Sequence, residues 1–219
     1  MIAKSLINHN LSALRTTDTV EAAIAFMMQM GVAELPIIEN KKVYNYARLA
    51  QLSQLPKNQS LEVAIPKHPY PAVATETNHL YELIPLLAAN DLSNLAVCND
   101  QGEFIGVVEQ KLINNYIADS LTYKGLGAIL VLHLDGKDYA PSLLARLVEE
   151  NGAKILGLVI RNGEDGKLWV NMKINTTLAK PIVASLKRYS IQVENIFLAE
   201  DHNGSSDKEY DMIMRFFDI

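Results

Sequence analysis

Two short stretches of this sequence place polar side chains at a strand-to-helix junction, where a turning backbone presents functional groups to a small ligand. In "KKVYNYARLAQL" (41–52) the groups are Asn45, Arg48 and Gln51. Arg48 offers a planar cation suited to an anionic group, and the two amides offer neutral donors and acceptors. In "GEFIGVVEQKLI" (102–113) the matching positions hold Gly106, Glu109 and Leu112: bare backbone, a carboxylate and an aliphatic chain. Chemistry at these positions is recognition and not bond-breaking. The alternative is that Arg48 and Gln51 are ordinary solvated residues at a helix start.

Nothing elsewhere assembles a catalytic set. The histidines (His9, His68, His79, His133, His202) are scattered and lack metal-ligand spacing. There is no G-x-S-x-G, phosphate loop or G-x-G-x-x-G, and "GLG" at 125–127 precedes a strand, the wrong order for a dinucleotide fingerprint. Glu164 and Asp165 share a polar turn. Cys98, the one cysteine, lies in the apolar run "LAVCN" and reads as a small buried hydrophobe. The expectation is a protein without enzyme activity and without a metal site.

The junctions belong to a repeat. "TTDTVEAAIAFMMQMGVAELPIIENKKVYNY" and "ETNHLYELIPLLAANDLSNLAVCNDQGEFIGVV" align residue for residue over Val20/Leu80, Ile24/Ile84, Met27/Leu87 and Leu35-Pro36-Ile37/Leu95-Ala96-Val97. In each, an apolar stripe at helical spacing ends at a residue suited to a sharp turn, Gly31 or Asp91. A strand, a polar turn, a second strand and a second helix follow. Asp18, with Glu21 three positions on, is the expected cap of the first helix, and Asn78 that of the second. Each copy reads β-α-β-β-α and buries its apolar face only by pairing with the other.

This order, with "GVAELPII" and "EFIGVV" as its strands, resembles the CBS domain, and the two copies resemble a tandem CBS pair, 1–60 and 61–122. The resemblance implies a pseudo-twofold pair with a cleft on each side, and adenosine nucleotides (AMP, ADP, ATP) or S-adenosylmethionine as candidate ligands. It also implies a pattern after the second strand in which a hydroxyl faces phosphate and an Asp holds the ribose. Arg48 and Gln51 stand at those positions in the first copy, Glu109 and Leu112 in the second. Leu112 cannot accept a ribose hydrogen bond, and Glu109 sets like charge against phosphate, so the second cleft is not expected to take a nucleotide in the usual way. Glu34 and Pro36, on the strand "ELPII", complete the candidate cleft residues, with shaping of a strand edge as the alternative for Pro36.

From "AILVLHL" onward the pattern changes. A helix "YAPSLLARLVEENG", with Pro141 in its first turn and Asp138 as expected cap, leads to "AKILGLVIR", a turn "NGEDG" and "KLWVNMKI". There Leu168, Val170, Met172 and Ile174 alternate with Trp169, Asn171 and Lys173, the period of a strand with one buried face. A helix and the strand "QVENIFLA" complete β-α-β-β-α-β, the ferredoxin-like order, over 126–200. This half resembles an ACT domain, which implies an amino-acid ligand near Gly136, Lys137 and Asp138. A CBS pair followed by an ACT-like domain is similar to the arrangement in acetoin-utilisation regulatory proteins. A segment at 206–219 reads as a helical tail with Tyr210, Ile213, Met214 and Phe217 on one face.

The 219 residues are 49% apolar and 21% charged with a net charge of −5, ordinary for a globular protein and without electrostatic reason for a nucleic-acid partner. No apolar run is long enough to span a membrane, and a cytoplasmic location is expected. The mixed α/β chain thus reads as a regulatory module that senses a metabolite, pairs as a homodimer and signals to a partner protein. The rival reading is a constitutive scaffold with ligand-free clefts.

Overall fold

The computed structural model describes residues 1–198, which divide into two compact units, 1–117 and a second that begins at 118. The expected tail at 206–219 lies outside the described residues.

In the first unit the order is β1 (Ile7–Asn8), β2 (Leu14–Arg15), α1 (Val20–Met30), β3 (Glu34–Glu39), β4 (Lys42–Arg48), α2 (Leu49–Leu52), α3 (Leu61–Ala64), β5 (Val73–Thr75), α4 (Leu80–Ala89), β6 (Asn94–Cys98) and β7 (Phe104–Glu109), leading into α5 (Gln110–Ala118). Two sheets form, β2-β3-β4 and β1-β7-β6-β5. In both, the strand before the helix runs parallel to the strand after it, and a tight turn returns antiparallel. The helix stripes bury as their spacing demands: Val20, Ala23 and Met27 from α1, Leu80, Leu83 and Leu87 from α4.

The repeat holds down to its caps, although not at the residues expected. Asp18 and Asn78 do not cap. Each turns its side chain back to a main-chain N–H three residues earlier, Asp18 to Arg15 and Asn78 to Thr75, both at 2.7 Å. The caps are the next residues, Thr19 and His79. Thr19 accepts from Ala22 N–H. His79 Nδ1 accepts from Tyr81 N–H, and it is Glu82, not Glu21, that completes a capping box, by accepting from His79 N–H. That bond is the main cause holding the Glu82 carboxyl below its ordinary value. Both helices end with a left-handed residue, Gly31 (φ 67°) and Asp91 (φ 50°), as the turn there requires.

The ends of the two halves are exchanged. Residues 7–8 pair with Val107 and Val108, and Ala3 and Leu6 enter the second core, whereas Leu61 and Ile65 enter the first.

The second unit runs α6 (Leu121–Lys124), β8 (Ala128–Leu134), α7 (Pro141–Glu149), β9 (Ile155–Asn162), β10 (Leu168–Ile174), α8 (Lys180–Arg188), β11 (Gln192–Leu198). Its antiparallel sheet has the order β11-β8-β10-β9. Leu130, Leu132, Val170 and Met172 from the central strands face Leu144, Leu147, Val148, Ile182 and Leu186 from the helices in one core. Asp138 does not cap α7: residues 136–138 form one turn of 3-10 helix, and α7 starts at Pro141 after Ala140, which gives no side-chain bond. Proline at the first helical position supplies a preset φ instead.

Candidate functional site

β4 ends on Arg48 and runs directly into α2. This junction places Asn45, Arg48 and Gln51 along one wall of a cleft of about 310 Å³ in the first unit. The segment between α3 and β5 forms the facing wall with Ile65, Pro66, His68, Tyr70, Pro71 and Ala72, and Asn90 and Leu92 come from the turn after α4. Three of the sequence-derived candidates are therefore brought together. Among the described residues lining the cleft, Arg48 is the one Lys, Arg, Asp or Glu side chain.

Asn45 and Arg48 are held by bonds to neighbouring segments of the unit. Asn45 Nδ2 donates to Pro66 O at 2.7 Å. Arg48 donates through Nη1 to Asp91 Oδ2 at 3.2 Å and through Nη2 to Asn90 O at 3.0 Å. The Arg48 side chain remains 42% exposed and that of Asp91 97%, so solvent screens the pair. Tyr46 is a further polar anchor: its hydroxyl donates to Ala72 O at 2.8 Å and accepts from Ala96 N–H at 2.9 Å. Burial pushes its ionisation well above the ordinary phenol value, so it is a neutral donor at any physiological pH. Tyr70, held between two prolines, is 87% exposed, an aromatic face open to solvent.

The remaining candidates sit elsewhere. Glu34 is buried at the seam between the halves, accepting from Ser93 N–H, Ser93 Oγ–H and Asn94 N–H, while Asn94 Nδ2 donates to Glu34 O. Pro36 is buried in β3 opposite Tyr46. Gly106 faces Ile7, which leaves no room for a Cβ, and Glu109 accepts a hydrogen bond from Asn8 Nδ2. The counterpart junction in the second half is thus engaged by residues 7–8. Gly136, Lys137 and Asp138 lie exposed on their 3-10 turn in the second unit.

Tyr46, His68, Tyr70, Asn90 and Leu92 were not anticipated. The signal was present for two of them: the proline spacing of "IPKHPYPA" (65–72) marks a segment held extended, able to form a wall. Asp165 is also more than a solvated turn residue. Its Oδ1 accepts from Lys167 N–H at 3.1 Å, and Oδ2 lies 2.9 Å from His133 Nε2. The Lys167 bond is the main cause that lowers its carboxyl. His133 stacks on Trp169 with ring centroids 4.3 Å apart. Among the described residues no cluster of three or more His, Cys, Asp or Glu is arranged to hold a metal ion, and no helix is long and apolar enough to cross a membrane.

The CBS domain family matches residues 62–119. No curated protein matches the sequence. Similar solved structures include a CBS domain pair/ACT domain protein from Thermotoga maritima, 13% identical over 54% of this chain and 98% of that one, with a TM-score of 0.49. CBSX2 in complex with AMP is 16% identical over 53% and 95%, with a TM-score of 0.45. The cytosolic domain of the Mg2+ channel MgtE in complex with ATP is 16% identical over 52% and 48%, with a TM-score of 0.46.

Proposed function

We propose that residues 1–122 act as a tandem CBS pair that senses a small adenosine-containing metabolite, a nucleotide (AMP, ADP or ATP) or S-adenosylmethionine, in the cleft at Asn45, Arg48 and Gln51. The chain works as a non-enzymatic regulatory module, pairs as a homodimer and passes ligand occupancy to a partner protein. Residues 126–200 serve as an ACT-like second sensing unit, with the exposed turn at Gly136, Lys137 and Asp138 as its amino-acid contact.

One observation carries the reading: a cleft walled by an arginine, three carboxamides and exposed aromatic side chains, in a unit whose second half matches the CBS family. Its volume is at the small end of ligand sites, and the guanidinium with a nearby aromatic ring suits a planar base carrying an anionic group. The β-α-β-β-α-β order of the second unit supports the ACT-like assignment.

The test is a thermal-shift series of the full chain with each nucleotide, S-adenosylmethionine and the common amino acids. A ligand that binds the native state raises the midpoint as its concentration passes the dissociation constant. The expected result is a nucleotide shift that Arg48→Ala reduces. A second reading, a constitutive scaffold, is favoured by the bonds that already engage Arg48 and Glu109. It predicts no shift from any of these compounds at millimolar concentration.

A further inference from the structure

The residue that holds Arg48 stands at a position that ordinarily favours another type. Asp91 follows α4 with φ 50°, where the matching residue after α1 is Gly31 with φ 67°. Glycine is the natural occupant of a left-handed helix end, and aspartate adopts it at some cost. Its carboxylate reaches Arg48 across the two halves of the pair, and Asn90 supplies a carbonyl to the same guanidinium. The counterpart pairing is absent from the other junction among the described residues: Glu109 replaces the arginine and bonds Asn8, and Gly31 has no side chain.

Resting on the reading of the first cleft as an anion-sensing site, we propose that Asp91 is the chain's own competitor for Arg48: an anionic ligand binds by taking the guanidinium from this carboxylate. The chemistry favours the ligand. Asp91 contacts Arg48 through one oxygen at 3.2 Å with both side chains in solvent, and such exposed pairs are weak. A phosphate engages the guanidinium fork with two parallel bonds and is the stronger partner. Asp91 therefore sets a threshold: weak or singly hydrogen-bonded anions do not displace it, and a phosphate does. Displacement also removes a link between β4 of the first half and the end of α4 in the second, so binding at the cleft alters the contact between the repeats.

The experiment is calorimetric titration of the full chain with AMP and ATP, using wild type, Asp91→Asn, Arg48→Ala and the double variant. Asparagine tolerates the left-handed backbone and removes the charge, and Asp91→Gly, the residue found at Gly31, serves as a second variant should the first fail to fold. An exposed pair of this kind corresponds to a roughly two- to five-fold tightening in Asp91→Asn. In the Arg48→Ala background the same substitution changes nothing, because the competitor has lost its target. Binding by Asp91→Asn where wild type is silent supports the proposal and the site together. Wild-type binding that weakens in Arg48→Ala yet stays the same in Asp91→Asn overturns the competitor and leaves the site standing. So does equal tightening in both backgrounds. No heat from wild type, Asp91→Asn or Asp91→Gly overturns the site reading, and the competitor with it.

Discussion

Replacing Tyr46 by Phe removes one oxygen and nothing else, and the structure gives a magnitude for the loss. The hydroxyl makes two bonds, 2.8 Å to Ala72 O and 2.9 Å from Ala96 N–H. Each neutral hydrogen bond contributes about 1 kcal/mol net. The two partners do not suffer alike. Ala72 is half-buried, and water can replace the lost donor, whereas Ala96 is fully buried in β6, and an orphaned buried N–H costs about 1–3 kcal/mol. Phe leaves no cavity, so no packing loss is added. With about 1 kcal/mol lost at Ala72 and about 1–2 kcal/mol, the lower part of that range, at Ala96, the sum is about 2–3 kcal/mol. Urea unfolding followed by far-UV circular dichroism should show the midpoint falling with the slope unchanged. Because the chain has two compact units, hydrogen exchange of the Leu95 and Val97 amides localises the effect, with protection reduced about 30- to 150-fold at 1.36 kcal/mol per factor of ten. The same change slackens the wall at Ala72 and should weaken nucleotide binding. A loss below about 0.5 kcal/mol would refute the reasoning, since it would mean that the hydroxyl does not tie the cleft wall to β6.

Glu34→Ala strips three donors of their acceptor at the seam and should cost about 3 kcal/mol or more. Glu34→Gln, which keeps one acceptor oxygen, should recover over half of that in the same urea assay; equal losses would show that the charge and not the acceptor matters. Gly106→Ala drives a Cβ into Ile7 and should destabilise by about 1–3 kcal/mol, with Ile7→Ala restoring part of the loss in the double variant; an unrelieved defect would place the clash elsewhere. The carboxyls of Glu82, Glu103 and Asp165 are held below their ordinary values, chiefly by His79 N–H, Lys41 and Lys167 N–H respectively. A depressed folded-state value means stability that is complete above the unfolded value and lost as pH falls through the folded one. Unfolding midpoints should therefore decline below about pH 4–5, and the triple amide variant should show a flatter acid limb. A limb of unchanged steepness would count against these contacts.

Much of this architecture was legible because it rests on period. Val20, Ala23 and Met27 recur as Leu80, Leu83 and Leu87, and Leu168 to Ile174 alternate, so burial of one face dictates helix or strand directly. The caps were not legible at single-residue resolution. Asp18-Thr19 and Asn78-His79 each offer two adjacent acceptors, and only the backbone angle decides which faces the helix and which faces back. Asn45, Arg48 and Gln51 were identifiable because they stand at the strand-to-helix junction, at positions that the CBS resemblance marks, matched by Gly106, Glu109 and Leu112 in the second copy. Tyr46 was not, since an inward tyrosine in a strand reads as core until its hydroxyl is seen to have two partners. The cleft wall at His68 and Tyr70 has no periodicity at all and is placed by prolines. Residues 7–8 were assigned to the first copy because pairing across the chain leaves no local mark in two residues.

That exchange of ends has a consequence in time. Asn8 and Glu109 are 101 residues apart in the chain. At about 5–20 residues per second of synthesis, residues 1–8 leave the ribosome roughly 5–20 seconds before β7 exists to receive them. Until then Ala3, Leu6 and Ile7 are exposed apolar groups with no home, and the second sheet lacks an edge. Neither half can finish first. A nascent chain stalled anywhere before Val107 carries residues 1–8 unmatched, and the first unit completes its fold only when the second copy has been made.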